Sequence, residues 1–176
     1  MKKTTYLFVH VLVSAFILGA VASSSAMAQE ETADVKQKIV GTWQVTSFES
    51  LHLESNEIRH PFGKNPIGYI EYSPGGHFVG FASAGNLPKP AGFPYTDAER
   101  AAIHKELFNA FSGTYRVEGN KIIQHILASF RPENIGTDSI RYVEVNGNKL
   151  TLKSAPIVGN RKGRKIVFTV TYERVE

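Results

Sequence analysis

Val117-Glu118-Gly119-Asn120-Lys121-Ile122 and Val145-Asn146-Gly147-Asn148-Lys149-Leu150 are nearly the same hexapeptide, and each joins two stretches of alternating apolar and polar residues. Glycine and asparagine tolerate the positive φ that a two-residue hairpin turn demands. Loops centred on Gly119-Asn120 and Gly147-Asn148 therefore predict two tight β-hairpins, with Asn146-Gly147 competing as the turn of the second. In the Gly-Asn register Val117 faces Ile122, Tyr115 faces Gln124, Val145 faces Leu150 and Val143 faces Leu152, and these residues share one apolar face. The other face carries Thr114, Arg116, His125, Tyr142, Glu144 and Thr151, as a solvated outer wall does.

The same alternation, punctuated by glycine, asparagine and proline, extends in both directions from this pair. Strands are expected at Ile39 to Phe48, Ile67 to Tyr72, His77 to Ser83, Thr114 to Glu118, Lys121 to Phe130, Asp138 to Val145, Lys149 to Lys153 and Lys165 to Val175, with a short extended piece at Glu57 to His60. Eight strands suit an all-β, antiparallel up-and-down barrel, because closure removes the unpaired edges of an open sheet. One helix interrupts the series. Thr96-Asp97-Ala98-Glu99 is a capping box, and Ala102, Ile103, Leu107, Ala110 and Phe111 follow at helical spacing as one apolar stripe. Preceded by the proline-glycine connection from Gly85 to Pro94, this helix reads either as a lid over the barrel mouth or as a plug that buttresses it.

At the N-terminus, Lys2 and Lys3 precede an apolar run from about Tyr6 to Ala22, followed by Ala26-Met27-Ala28. Small residues at 26 and 28 are what a signal peptidase accepts, so residues 1–28 are expected to be a signal peptide, residues 29–38 a lead-in, and residues 39–176 the barrel domain. The chain has no cysteine, which excludes both a lipid-modified N-terminal cysteine and a disulfide framework. The expected location is the periplasm or the cell exterior, without a stable membrane anchor after cleavage. Removing residues 1–28 leaves 148 residues with 18 basic and 16 acidic side chains, a net charge of +2. So near-neutral a chain is not expected to bind nucleic acid. Its one basic run, Arg161-Lys162-Gly163-Arg164-Lys165, has no interleaved aromatics and falls where a hairpin turn belongs.

Several blocks, in order, resemble the lipocalin-like domain family, the bacterial and fungal branch of the calycin barrels. They are Val40-Gly41-Thr42-Trp43, Pro61-Phe62-Gly63, Pro66-Ile67-Gly68-Tyr69, Tyr72-Ser73-Pro74-Gly75-Gly76, Gly113-Thr114-Tyr115-Arg116-Val117 and Ile135-Gly136-Thr137. The resemblance covers nearly the whole of the chain after residue 28. It implies an up-and-down barrel with a lid helix, in a family where some barrels bind small apolar molecules and others act as cyclases or isomerases of natural products. It also implies a structural floor, in which the first-strand Trp43 closes the narrow end and Arg174 of the last strand stacks across it. Gln124 departs from the pattern, standing where family members often carry histidine, and this weakens any transfer of acid-base chemistry.

Polar side chains on the interior face carry the functional signal. Arg141 lies on the face of Val143 and Val145, and Tyr115 and Gln124 on that of Val117 and Ile122. Buried polar groups need partners, so these three, with Tyr72, are the candidate ligand-binding residues. An inward arginine favours an anionic group on an otherwise apolar molecule. The alternative is that Arg141 emerges at the rim or pairs with a structural acid such as Glu71. No metal-ligand spacing joins His52, His60, His77, His104 and His125; Ser83 lies in no nucleophile elbow; and only Asp34, Asp97 and Asp138 remain as aspartates after residue 28. No cofactor or metal is therefore expected. A carrier of a small hydrophobic or amphipathic ligand is favoured over an enzyme, the alternative being a cofactor-free cyclase or isomerase using Arg141, Tyr115 and Tyr72 in the same cavity.

Overall fold

In the computed structural model the described residues are 27, 29–87, 89–158 and 163–176, the side chains of 104–109 apart. The expected signal peptide falls almost wholly outside them, as do Arg161 and Lys162 of the basic run. Helix α1, residues 29–39, leads into β1 (Gly41–His52), β2 (Glu57–Arg59), β3 (Pro66–Tyr72) and β4 (His77–Ala84). Helix α2 (Asp97–Glu106) runs directly into β5 (Leu107–Glu118), followed by β6 (Lys121–Ser129), β7 (Asp138–Asn146), β8 (Lys149–Ser154), β9 (Ile157–Val158) and β10 (Lys165–Arg174). Strands β1, β3, β4, β5, β6, β7, β8 and β10 pair in that order, all antiparallel, and β1 pairs with β10 from Trp43↔Arg174 to His52↔Ile166 to close the barrel. The short β2 and β9 add to the ends of β1 and β10 away from the floor.

Both hairpins take the Gly-Asn register. Glu118↔Lys121 and Asn146↔Lys149 are the last pairs, and Val117↔Ile122, Tyr115↔Gln124, Val143↔Leu152 and Val145↔Leu150 face one another. Gly119 and Gly147 have φ of 56° and 58°, whereas Asn120 and Asn148 do not take positive φ. Positive φ at the first central residue alone is the pattern of a type II′ turn, whose twist matches that of the flanking strands.

At two places helix and strand change over relative to the sequence reading, while several strand ends differ by a few residues, the largest shift being in β1, which runs on from Phe48 to His52. The apolar stripe expected to continue α2 breaks at Glu106, and Leu107, Ala110 and Phe111 belong to β5. There the backbone pairs on both sides, Phe111 with Gly80 of β4 and Ser129 of β6, so two ladders of hydrogen bonds replace one set of helical ones. The period-two run Phe111, Gly113, Tyr115, Val117 outweighs the helical spacing. Likewise Ile39 is not the first residue of β1 but the last of α1. The capping box itself is present: Thr96 Oγ1 accepts from the Glu99 amide at 3.2 Å, and Glu99 Oε2 accepts from the Thr96 amide at 2.8 Å.

The core fills the barrel from the hairpin end upward, with Ile39, Trp43, Ile70, Tyr72, Ile122 and Leu150 almost wholly buried. Each such side chain contributes about 1.5 to 3 kcal/mol through the apolar surface it removes from water. Helix α1 plugs this end. Val35 and Ile39 pack on the core, and Thr32 Oγ1 accepts from the Gly119 amide of the β5–β6 turn at 2.9 Å. Trp43 Nε1 donates to the Ile39 carbonyl at 2.7 Å, and the Arg174 guanidinium lies 4.0 Å from the centre of the Trp43 ring, the floor that the family resemblance implied. Arg174 also donates to the carbonyls of Val40, Glu176 and Lys38, which ties the end of α1 to the end of β10. Gly41 is required here: with φ of 125°, a Cβ on it would meet the Glu176 carbonyl oxygen at 2.5 Å.

Candidate functional site

At the opposite end the chain returns through long connections rather than two-residue turns, and the barrel interior stays open. A cavity of about 610 Å³ lies there, in the size range of a small-molecule site. Its apolar wall is built by Phe48 of β1, Phe111 of β5, Ile126 of β6 and Phe168 of β10, with Pro61 and Phe62 from the connection after β2. Phe62 is tucked against Phe48 edge to face, ring centres 4.6 Å apart, and Phe48 meets Phe168 at 5.6 Å. Such aromatic contacts fix ring positions while leaving apolar faces to the cavity. None of the described side chains of helix α2, those of residues 97–103, belongs to this wall.

The polar part of the wall is an arc on β7 and β8. Ser139 and Arg141 stand two residues apart on the inward face of β7, and Ser154 of β8 pairs directly with Arg141. Ser154 Oγ accepts from the Phe168 amide at 2.9 Å. Arg141 lies inside the barrel yet is only half-buried by area, because what protein does not cover faces the cavity. Among the described residues its guanidinium makes no hydrogen bond or ion pair. Glu71, weighed above as its partner, is exposed on the outer face of β3. Desolvation pushes the Arg141 guanidinium below its usual value, against the pull of the phenols of Tyr172 and Tyr72, but an arginine in this setting remains a cation.

The other sequence candidates sit lower in the barrel and do not line the cavity. Gln124 is 1% exposed, and its Nε2 donates to the Tyr72 hydroxyl oxygen at 2.9 Å. Burial pushes the Tyr72 phenol well up, with Tyr172 adding to the effect and Arg141 opposing it. Tyr115 packs edge to face on Tyr72, ring centres 5.0 Å apart, and donates its hydroxyl to the Ser73 carbonyl at 2.8 Å, toward the floor. The structure thus brings Tyr72, Gln124 and Arg141 into one interior neighbourhood and turns the Tyr115 hydroxyl away from it. Ser139 and Ser154 were missed, although extending the second hairpin register places Ser154 opposite Arg141.

On the outer wall at the rim, the Asp138 carboxylate meets His125 Nδ1 at 2.8 Å and Arg116 at 3.6 Å. The His125 hydrogen bond, then the Arg116 charge, hold Asp138 below the usual carboxylate range. Arg131 and Asn134, from the connection between β6 and β7, complete the mouth.

A closed eight-stranded antiparallel barrel with a stacked Trp–Arg floor and an interior cavity at the far end defines a calycin-type barrel. The lipocalin-like domain family matches residues 40–175, and the chain belongs to that family. No curated protein and no solved structure matches it.

Proposed function

We propose that this is an exported, non-enzymatic binding protein that holds a small, largely apolar molecule in the barrel with an anionic group against Arg141. The observation that carries the reading is the Arg141 guanidinium, which lines a cavity walled by phenylalanines and has no hydrogen-bond or ion-pair partner among the described residues. A buried cation without an anion or acceptors is costly, and a carboxylate meeting it two-pronged, beside the hydroxyls of Ser139 and Ser154, removes that cost. The carrier reading is preferred to a cyclase or isomerase because Tyr115 donates to Ser73 and Tyr72 is bonded to Gln124 below the cavity, so neither phenol is offered to an occupant.

The test compares apolar carboxylic acids with their methyl esters by calorimetry. The acids should bind tighter by roughly tenfold or more, the size of a charge-assisted hydrogen bond. Arg141→Leu should erase the preference, while Arg116→Leu on the outer wall should keep it. Equal affinity for acid and ester in the parent protein would refute the assignment. Export is checked by N-terminal sequencing of the processed protein, which should begin at Gln29; recovery of Met1 on the processed form would reject cleavage after Ala28.

A further inference from the structure

The cavity is divided lengthwise. Arg141 stands deep, level with Ile122 of β6 and Ser154 of β8; Ser139 and Thr137 follow it toward the mouth at every second residue, and Asn134 lies beyond them in the connection. At about 3.3 Å per residue, the run from Arg141 to Thr137 is about 13 Å long. On β1, β5 and β10, by contrast, the lining side chains among the described residues are Phe48, Phe111 and Phe168. The fold leaves the polar rail largely unused. Neither the Ser139 hydroxyl nor the Asn134 carboxamide makes a hydrogen bond among the described residues. Thr137 donates to the Asn134 carbonyl at 2.7 Å and Ser154 accepts from the Phe168 amide at 2.9 Å, so the first keeps its lone pairs and the second its proton. A polar head group alone accounts for Arg141 and Ser154, but not for polar groups that continue to the mouth. An occupant apolar on every side would press hydrocarbon against them and leave their hydrogen bonds unmet.

We infer that the occupant is a facially amphipathic acid, a rigid apolar skeleton with hydroxyl groups along one face. Those hydroxyls lie along Ser139, Thr137 and Asn134, the opposite face packs on Phe48, Phe111 and Phe168, and the anionic group meets Arg141. The inference rests on the anion-binding reading proposed above.

The experiment titrates the purified protein, below micelle-forming concentrations, with lithocholate, deoxycholate and cholate, which share one skeleton and one carboxylate and carry one, two and three hydroxyls on the same face. In a wholly apolar cavity each added hydroxyl weakens binding, whereas on a polar rail each strengthens it, so the two cases differ in sign. Affinity should rise from lithocholate to cholate by about two- to tenfold per hydroxyl, and in the same order among the methyl esters. Chenodeoxycholate should bind tighter than ursodeoxycholate, its epimer with one hydroxyl moved to the other face. Ser139→Ala should narrow the gap between cholate and lithocholate by about twofold or more. Affinity that is level or falls with hydroxylation, epimers that bind alike, or no binding by any of these acids would overturn the inference, and those comparisons need no variant. If acids bind tighter than esters while hydroxylation weakens both, the rail fails and the Arg141 reading stands. If hydroxylation helps but acid and ester bind alike, the Arg141 reading fails and the rail stands.

Discussion

The two ends of this barrel solve the problem of a buried arginine in opposite ways. At the floor, Arg174 lies over Trp43 and donates to three backbone carbonyls, so its charge is spread over acceptors the fold provides. Near the mouth, Arg141 has the same side chain inside the same barrel and no such acceptors among the described residues. A satisfied cation belongs to the fold, whereas an unsatisfied one beside a cavity contributes nothing to holding the barrel together. The difference separates the part of the molecule that specifies structure from the part that is kept for something else.

That contrast predicts effects of opposite sign. Trp43→Ala removes the largest fully buried ring and the surface on which Arg174 rests, and should lower stability by about 3 to 5 kcal/mol. Arg174→Ala should lower it less, within the same cooperative transition. An unchanged denaturation midpoint for Trp43→Ala would show that the Trp43–Arg174 stack does not hold the barrel end together. Arg141→Leu should instead raise the stability of the unliganded protein, by about 1 to 3 kcal/mol, because an apolar side chain replaces a desolvated charge. A fall in midpoint for that variant would mean that Arg141 is held by the fold as Arg174 is, and the distinction between the two ends would collapse.

The smallest effect is expected at the rim. The native Asp138 titrates below its unfolded value, so its stabilising contribution is complete above about pH 5 and is lost as the pH falls through the depressed native value. Asp138→Asn should therefore flatten the acid limb of the Tm-against-pH curve slightly, the ion pair being exposed and screened. A difference in Tm between variant and parent that is the same at about pH 7 and about pH 3 would show that the His125–Asp138–Arg116 contact contributes nothing through charge.

The legible and illegible parts of the chain divide along physical lines. Gly119-Asn120 and Gly147-Asn148 pin their hairpins locally, and once register is pinned, period two assigns Arg141 and Gln124 to the interior without further information. Register gives the face but not the height along the barrel axis, which is why Tyr115 could not be told to reach for Ser73 and away from the cavity. Phe62 lies in a connection with no period, and its packing on Phe48 depends on how far apart the two stand in space. Helix α1 is short, and its apolar signal amounts to Val35 and Ile39, one turn apart, so only the docked barrel end reveals it.

The closure of β1 on β10 also bears on how the chain acquires its shape. Val40 and Arg174, joined across the floor, are 134 residues apart in the chain. Contacts at that separation are slow to form, because the entropy of bringing the ends together is lost before any burial is gained. Until β10 is available, β1 and β8 are both open edges bearing rows of unpaired amides and carbonyls, the surfaces on which chains join one another. A nascent chain ending anywhere before Lys165 is therefore an unsealed sheet, and the arrival of the last strand converts an association-prone ribbon into a particle with no edge to offer along the floor end of its wall.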